Sequence, residues 1–270
     1  MTQGDPMTPS QVAGTGAVLW QPVSGCGTGC VGTGGAVVAS GRVLLRVLSL
    51  AGVLLGGLLV PLLRRAAVRT TARGLLAALG VKLVWRGPAP RPGSLLVANH
   101  FSWLDVVALL AVEPVRLVAK HDVRGWPAIG PLARMSGSVF LDRTRPRLLP
   151  GTVGEAGAAL RAGHSVAVFP EGTTFCGAAR GRFRAAMFQA AVDARAPVVP
   201  ISIRYDSAAA AFVGDDTLWG SVRRVAALRS LTVTLVAAPA LRPADGADRR
   251  SLARAAQACV GVNAAFDLAA

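Results

Sequence analysis

Negative charge is scarce in this sequence. Fourteen acidic residues stand against 29 basic ones, for a net charge of +15 over 270 residues, and no carboxylate occurs between Gly32 and Asp105. Charge of either sign is thin at 16% of residues, and mean hydropathy is high at +0.49. An apolar, basic chain suits the anionic face of a membrane or a nucleic acid. Aromatics make up only 5%, which argues against a nucleic-acid groove, where basic and aromatic residues interleave. The four cysteines, Cys26, Cys30, Cys176 and Cys259, form no C-x-x-C pair. With three scattered histidines they argue against a zinc site and call for no disulfide. No lysine or arginine precedes Arg42, so the first residues are not expected to act as a secretory leader, which needs positive charge ahead of its apolar core. No G-x-S-x-G elbow is present, which excludes a serine esterase of the α/β-hydrolase type.

What is present falls into three parts. Residues 1–35 are rich in Gly, Thr, Ser and Pro and are expected to be a disordered tail. Gly27, Gly29 and Gly32 match G-x-G-x-x-G, but no convincing strand precedes them and the next acidic residue is Asp105, so a dinucleotide loop is not supported. Residues 36–80 are expected to form membrane-associated helices. Val43 to Leu63 is apolar apart from Arg46 and Ser49, at the short end of what spans a bilayer. Arg46 is expected to snorkel to an interface. Gly52 and Gly56 form a G-x-x-x-G pair that permits close helix packing. The alternative, a buried core helix, fits the flanking arginines less well. Arg64, Arg65, Arg69 and Arg73 then read as a basic amphipathic helix at headgroup level, or as the solvated face of a globular domain.

From residue 81 to 270, short apolar runs alternate with helix-length segments. The runs are 81–85, 95–98, 115–119, 139–141, 166–169, 198–203 and 231–236. Such alternation predicts an α/β domain with a mostly parallel sheet flanked by helices, behind the N-terminal membrane-embedded segment. Chemistry in these sheets sits beyond the carboxyl ends of the strands. That places Asn99–His100, Asp142–Arg143 and Glu171–Gly172 on one rim.

The first cluster is NHFSWLD, from Asn99 to Asp105. Residues five apart on a regular helix point about 140° away from each other. His100 must therefore precede the helix, with Asp105 in the first turn reaching back to it. The carboxylate would fix the imidazole tautomer and leave the other nitrogen free to take a proton from an alcohol. Ser102 and Asp105 also fit a capping box; the two roles are compatible if each uses a different carboxylate oxygen. The second cluster contains Lys120, Pro127, Gly130, Gly137 and FLDR, ending at Arg143. Arginine there suits bidentate phosphate binding, or an ordinary surface ion pair. The third is FPEGTT, from Phe169 to Thr174, a rigid turn that presents Glu171 at the rim or simply ends a strand. The fourth is VPISI, in which Pro200 marks an edge strand or a bulge.

In this order and spacing the four clusters resemble the motifs of the glycerolipid acyltransferase family, which includes the 1-acylglycerol-3-phosphate acyltransferases. The resemblance runs from about Val81 to Tyr205. It implies His100 as general base, Asp105 as its partner, and no metal or other cofactor. For substrate binding it implies Lys120 and Arg143 on an acceptor phosphate and Glu171 and Gly172 shaping the acceptor site. Thr173 and Thr174 join them, with Asn99 and Ser102 beside the dyad and Pro200 lining the acyl groove. It further implies acyl-CoA or acyl carrier protein as donor and a lysolipid as acceptor. Phosphatidic acid would be the product, made at a cell membrane with anionic lipid, the site facing the cytoplasm. One departure matters: lysophosphatidate enzymes usually read E-G-T-R, and Thr174 stands in place of that arginine. This resembles a branch that includes lyso-ornithine-lipid acyltransferases. If lysophosphatidate is the acceptor, two compensations are expected as alternatives: Lys120 and Arg143 hold the phosphate alone, or Arg180, Arg182 or Arg184, just downstream, swings in. Rim backbone N–H groups are expected to stabilise the oxyanion.

Overall fold

The structure is a computed structural model, and it describes residues 22–32, 36–59 and 64–265. Seven strands among the described residues form a single sheet: β1 (Val81–Arg86), β2 (Leu95–Ala98), β3 (Arg116–Lys120), β4 (Val139–Leu141), β5 (Val166–Val168), β6 (Val198–Tyr205) and β7 (Leu231–Ala237). Their order is β1-β7-β6-β2-β5-β3-β4. Every pairing is parallel except β6 with β7. The sheet is therefore mostly parallel, as the alternation of apolar runs predicts. Interior strands β2 and β5 are buried at every position, which suits a sheet covered on both faces.

Side chains of β2 divide between two cores. Leu96 and Ala98 join the cluster beneath α2 (Arg64–Leu79), α3 (Leu104–Val112) and α7 (Leu218–Ala227). Leu95 and Val97 join the cluster beneath α5 (Leu149–Arg161), α6 (Phe188–Ala194) and α8 (Arg249–Ala265). The period of two along the strand thus builds a three-layer domain.

Pro200 lies in β6, an interior strand, so the edge-strand alternative is not met. The bulge alternative is. β6 pairs with β7 up to the Ile201–Ala237 rung, and the next bridge is Val198–Leu241. Three residues oppose two between these rungs, and the missing N–H of Pro200 falls in that interruption. Its carbonyl still accepts from the Ala238 N–H at 2.9 Å.

The N-terminal helices depart from expectation in several ways. The helix α1 (Ser40–Leu59) is long and apolar enough to cross a membrane by length and composition, and its apolar window is almost entirely unburied. Leu44, Leu45, Leu48 and Leu55 are exposed. Arg46, expected to snorkel outward, instead turns inward. Its guanidinium donates to the carbonyls of Ala226 and Leu228 at 2.9 and 2.6 Å, satisfying orphan carbonyls at the end of α7. A Cβ added at Gly52 or Gly56 would meet nothing within 4 Å. Close approach of α1 and α2 uses Gly57 against Thr71 and Gly74 against Val53 instead.

The boundary drawn at residue 80 is not one the packing respects. Ala72, Leu76 and Leu79 of α2 belong to the sheet's own core, and the Arg73 Nε donates to the Ala111 carbonyl at the end of α3 at 3.0 Å. Of the expected disordered tail, residues 1–21 and 33–35 lie outside the described residues. Residues 22–32 pack on the domain: Cys26 is buried, and the Gly27 backbone lies against Gly214.

Because Leu76 is core rather than appendage, Leu76→Ala should cost about 2–4 kcal/mol, matching Leu96→Ala in the central sheet. Denaturant unfolding of the full chain in micelles measures this. A loss confined to a few tenths of a kcal/mol would make α2 an add-on.

Candidate active site

Strand β2 ends at Ala98, and the next two residues leave the sheet between β6 and β5. The Asn99 amide spans to β6: its Nδ2 donates to the Ile203 carbonyl at 2.9 Å and its Oδ1 accepts from the Ile203 N–H at 2.7 Å. This two-point clamp sets the starting direction of the turn that carries His100.

The turn is closed by Asp105, which has no exposed surface. One oxygen, Oδ2, meets the His100 Nδ1 at 2.8 Å and accepts from the N–H groups of Phe101 and Ser102 at 2.6 and 2.8 Å. The other, Oδ1, accepts from the Tyr205 hydroxyl at 2.6 Å. Dyad and backbone capping therefore share one oxygen, where the sequence suggested one oxygen each. Nor does the Ser102 hydroxyl complete a capping box: it is buried without a hydrogen-bond partner. With acceptor oxygen facing Nδ1, the imidazole carries its proton there and presents the Nε2 lone pair to the cavity.

The imidazole is held on a second side. Its ring stacks on Phe169 with centroids 4.0 Å apart and planes inclined by 14°. Its backbone N–H donates to Glu171 Oε2 at 2.7 Å, and its carbonyl accepts from the Phe175 N–H at 2.8 Å. Glu171 Oε1 accepts from the Gly181 N–H at 3.0 Å. Burial pushes the Glu171 carboxyl above its ordinary value, and the two backbone donors pull it partly back. Glu171 is thus a strut between the FPEGTT loop and the His100 turn.

A cavity of about 1670 Å³ opens at His100. His100, Lys120, Arg143, Gly172, Thr173 and Thr174 line it, whereas Asn99, Ser102, Glu171 and Pro200 do not. Asn99 and Glu171 are expected to bind substrate, and here their side chains hold the turn from behind, while the Ser102 hydroxyl is buried within it and Pro200 sits within the sheet. Arg143 donates to the Gly172 carbonyl. Burial, then the nearby charge of Arg184, lowers its guanidinium pKa, against an opposing pull from Asp122; it remains a cation at neutral pH. Arg184 lines the same cavity, while Arg180 and Arg182 do not. Lys120 pairs with Asp122, both about half exposed. Such a pair is weak and exchanges partners at little cost. The Thr174 hydroxyl is turned away to the Phe212 carbonyl.

Gly172 has φ +77°, and a Cβ there would stand 2.7 Å from the Pro22 ring. The N–H groups of residues 100, 101, 102, 172 and 175 are all engaged within the protein. None of these five supplies the expected oxyanion donor.

Sequence reasoning missed Tyr205 and Phe169. Tyr205 is the chain's only tyrosine. It shares a strand face with Ile201 and Ile203, which pack toward α3, and that parity was the available signal. Burial, then the charge and hydrogen bond of Asp105, holds its phenol well above its ordinary pKa, so it stays a neutral donor.

Comparison with known proteins bears on the family. The Acyltransferase family model matches residues 84–204. A lyso-ornithine lipid O-acyltransferase of Pseudomonas aeruginosa is 35% identical over 83% of this chain and 88% of its own length. A 1-acyl-sn-glycerol-3-phosphate acyltransferase of Neisseria meningitidis is 39% identical over 53% of this chain. The chain spans little more than half the length of that relative and of its Neisseria gonorrhoeae counterpart, 56% and 58%. The crystal structure of the 1-acyl-sn-glycerophosphate acyltransferase of Thermotoga maritima shares the fold, with a TM-score of 0.59 at 21% identity, covering 83% of this chain and 97% of that one.

Tyr205→Phe keeps the ring stacked on Phe101 and removes only the donor to Asp105. A hydrogen bond to a charged group is worth about 1.5–3 kcal/mol, so kcat should fall about 10- to 100-fold. KM should change little, because the phenol does not line the cavity. Steady-state kinetics on the folded variant checks this, and a kcat equal to that of the parent chain would show the phenol to be idle.

Proposed function

The chain belongs to the glycerolipid acyltransferase family, and on that premise we propose that it transfers a fatty acyl group from a thioester donor to the free hydroxyl of 1-acylglycerol-3-phosphate. The product is phosphatidic acid, and the role is phospholipid biosynthesis. The observation that carries the choice of acceptor is the pair of arginines, Arg143 and Arg184, lining the cavity that opens at His100. Two guanidiniums close enough for one to depress the pKa of the other favour a multiply charged anion between them. Arg184 thereby supplies the charge that Thr174 lacks.

In the proposed reaction the acceptor hydroxyl lies against His100 Nε2. The imidazole takes its proton as the oxygen attacks the thioester carbonyl, and Asp105 stabilises the imidazolium. As the tetrahedral species collapses, the imidazolium returns the proton to the departing thiolate. Coenzyme A or acyl carrier protein carries the donor. The apolar stretch of the cavity along α1, α2 and α3, which includes Leu50, Leu54, Leu75 and Leu110, suits an acyl chain. Membrane association through α1 agrees with its exposed leucines. We place the protein at the cell membrane with the site facing the cytoplasm and anionic lipid at its surface.

A second reading, transfer to lyso-ornithine lipid, is favoured by Thr174 and by the Pseudomonas aeruginosa relative that matches most of the chain. The test offers both acceptors with acyl-CoA to the purified full chain and follows products by mass spectrometry. General-base removal should cost two to four orders of magnitude, and a well-folded His100→Ala with normal turnover ends the mechanism. Arg143→Ala and Arg184→Ala should each lower kcat/KM for lysophosphatidate about 10- to 100-fold. Wild-type preference for lyso-ornithine lipid, unmoved by either substitution, establishes the second reading instead.

A further inference from the structure

We propose that Cys26, Cys30 and Cys176 hold a zinc ion that fastens residues 22–32 to the FPEGTT loop of the candidate active site. The chain has four cysteines, and the sulfurs of these three lie within 4.8 Å of one another although 146 residues separate Cys30 from Cys176. Zinc is not expected from the sequence, which has no C-x-x-C pair and three scattered histidines. Cys26 and Cys30 are a C-x3-C pair, within the range seen at zinc sites, and the third ligand is close only in the folded chain.

The local backbone is built for such a pair. A 3-10 turn at Thr28–Cys30, closed by the Cys30 N–H on the Gly27 carbonyl at 3.0 Å, brings the first two sulfurs together. Gly214, at φ +63°, lets this turn settle on the domain, because a Cβ there would stand 3.2 Å from the Gly27 Cα. The Cys176 N–H points at the Cys26 sulfur at 3.4 Å, which ties the loop of the third cysteine to the first.

The Cys26 and Cys176 sulfurs are 3.3 Å apart. Tetrahedral zinc with bonds of about 2.3 Å sets its sulfurs about 3.8 Å apart. A disulfide would need about 2.05 Å and would leave Cys30 without a role. Binding displaces one proton from each of the three thiols and gives a Zn(S)₃ unit of net charge −1. Cys30 is exposed, so water completes the fourth position from that side.

The consequence reaches the site through Cys176. Its neighbour Phe175 donates to the His100 carbonyl, Thr174 is tied to Phe212, and the Pro22 ring packs on Gly172. Zinc at the three sulfurs would therefore hold the N-terminal strap and the FPEGTT loop as one body.

The full chain, purified in detergent under reducing conditions and stripped of metal, is titrated with Co²⁺ as a spectroscopic probe. One cobalt per chain is expected, with thiolate-to-metal charge-transfer bands and the intense visible bands of a tetrahedral site, displaced by Zn²⁺. Exposed Cys30→Ser should weaken binding at least about a hundredfold if the three thiolates share the binding free energy of a structural zinc. Cys176→Ser should do the same, and Cys259→Ser should change nothing. Hydrogen exchange over residues 22–32 should slow when Zn²⁺ is added. The proposal is overturned if the reduced wild type shows no such bands, if both variants keep them, if exchange is unchanged by zinc, or if the intact mass lacks two hydrogens from a Cys26–Cys176 disulfide. None of these readouts depends on acyl transfer.

Discussion

A carboxylate taken wholly out of water costs several kcal/mol unless its lone pairs are met. Asp105 has no exposed surface, and four donors converge on it: the His100 ring, the N–H groups of Phe101 and Ser102, and the Tyr205 hydroxyl. The two backbone donors belong to the turn, so the turn can close only around this anion. The ring belongs to the residue that the turn displays. The phenol belongs to β6, about a hundred residues later. One buried charge therefore couples the local conformation, the imidazole tautomer and the register of a neighbouring strand. Removing the charge without changing the shape of the side chain would loosen all three, which makes Asp105 structural and chemical at once.

Strand order decides which residues can take part. β2 lies between β6 and β5, so the turn that leaves β2 meets Tyr205 and Ile203 on one flank and Phe169 and Glu171 on the other. Glu171 and Asp105 divide the work. Asp105 orients the ring, and Glu171 holds the backbone beneath it through the His100 N–H. Burial raises the Glu171 pKa and hydrogen bonding lowers it. Its two backbone acceptor contacts are thus what compensate for sinking a second carboxylate beside the first. The result is an imidazole gripped on its edge, its face and its backbone, with one nitrogen left to the cavity.

Much of this was legible in the sequence because it is local or periodic. All seven apolar runs are strands, and spacing alone required His100 to precede the helix that carries Asp105. What was not legible depends on which distant strands become neighbours. Tyr205 looks like any residue ending an apolar run until β6 is placed against β2. Pro200 is ambiguous between edge and bulge until β7 is seen to break register beside it. Arg46 and Arg73 read as membrane-facing charges because a sequence does not show the carbonyls waiting at the ends of α7 and α3. The backbone contacts of Asn99 and Glu171 were not legible either, because polarity near a rim looks the same whether it faces a ligand or the backbone. Thr174 illustrates the same limit from the other side: it lines the cavity, yet its hydroxyl is spent on Phe212.

The integration of α2 into the core bears on how a lipid could reach His100. Moving an acyl chain into water costs about 0.8 kcal/mol for each methylene, so a long chain crossing an aqueous gap would face a penalty larger than most binding energies. A catalytic domain tethered loosely behind a membrane helix would impose that gap. Here α1 packs on α2, α2 packs beneath α3, and Val47, Leu50, Thr71 and Leu75 line the same cavity as His100. The outer face of α1, with its exposed leucines, and the apolar wall of the cavity are two sides of one helix. On the proposed function, the apolar wall built by α1 and α2 holds the acyl chain while the arginines hold the headgroup at the polar end. The helices are then no separable anchor: the wall they build is part of the site, and its position is set by the core that Ala72, Leu76 and Leu79 complete.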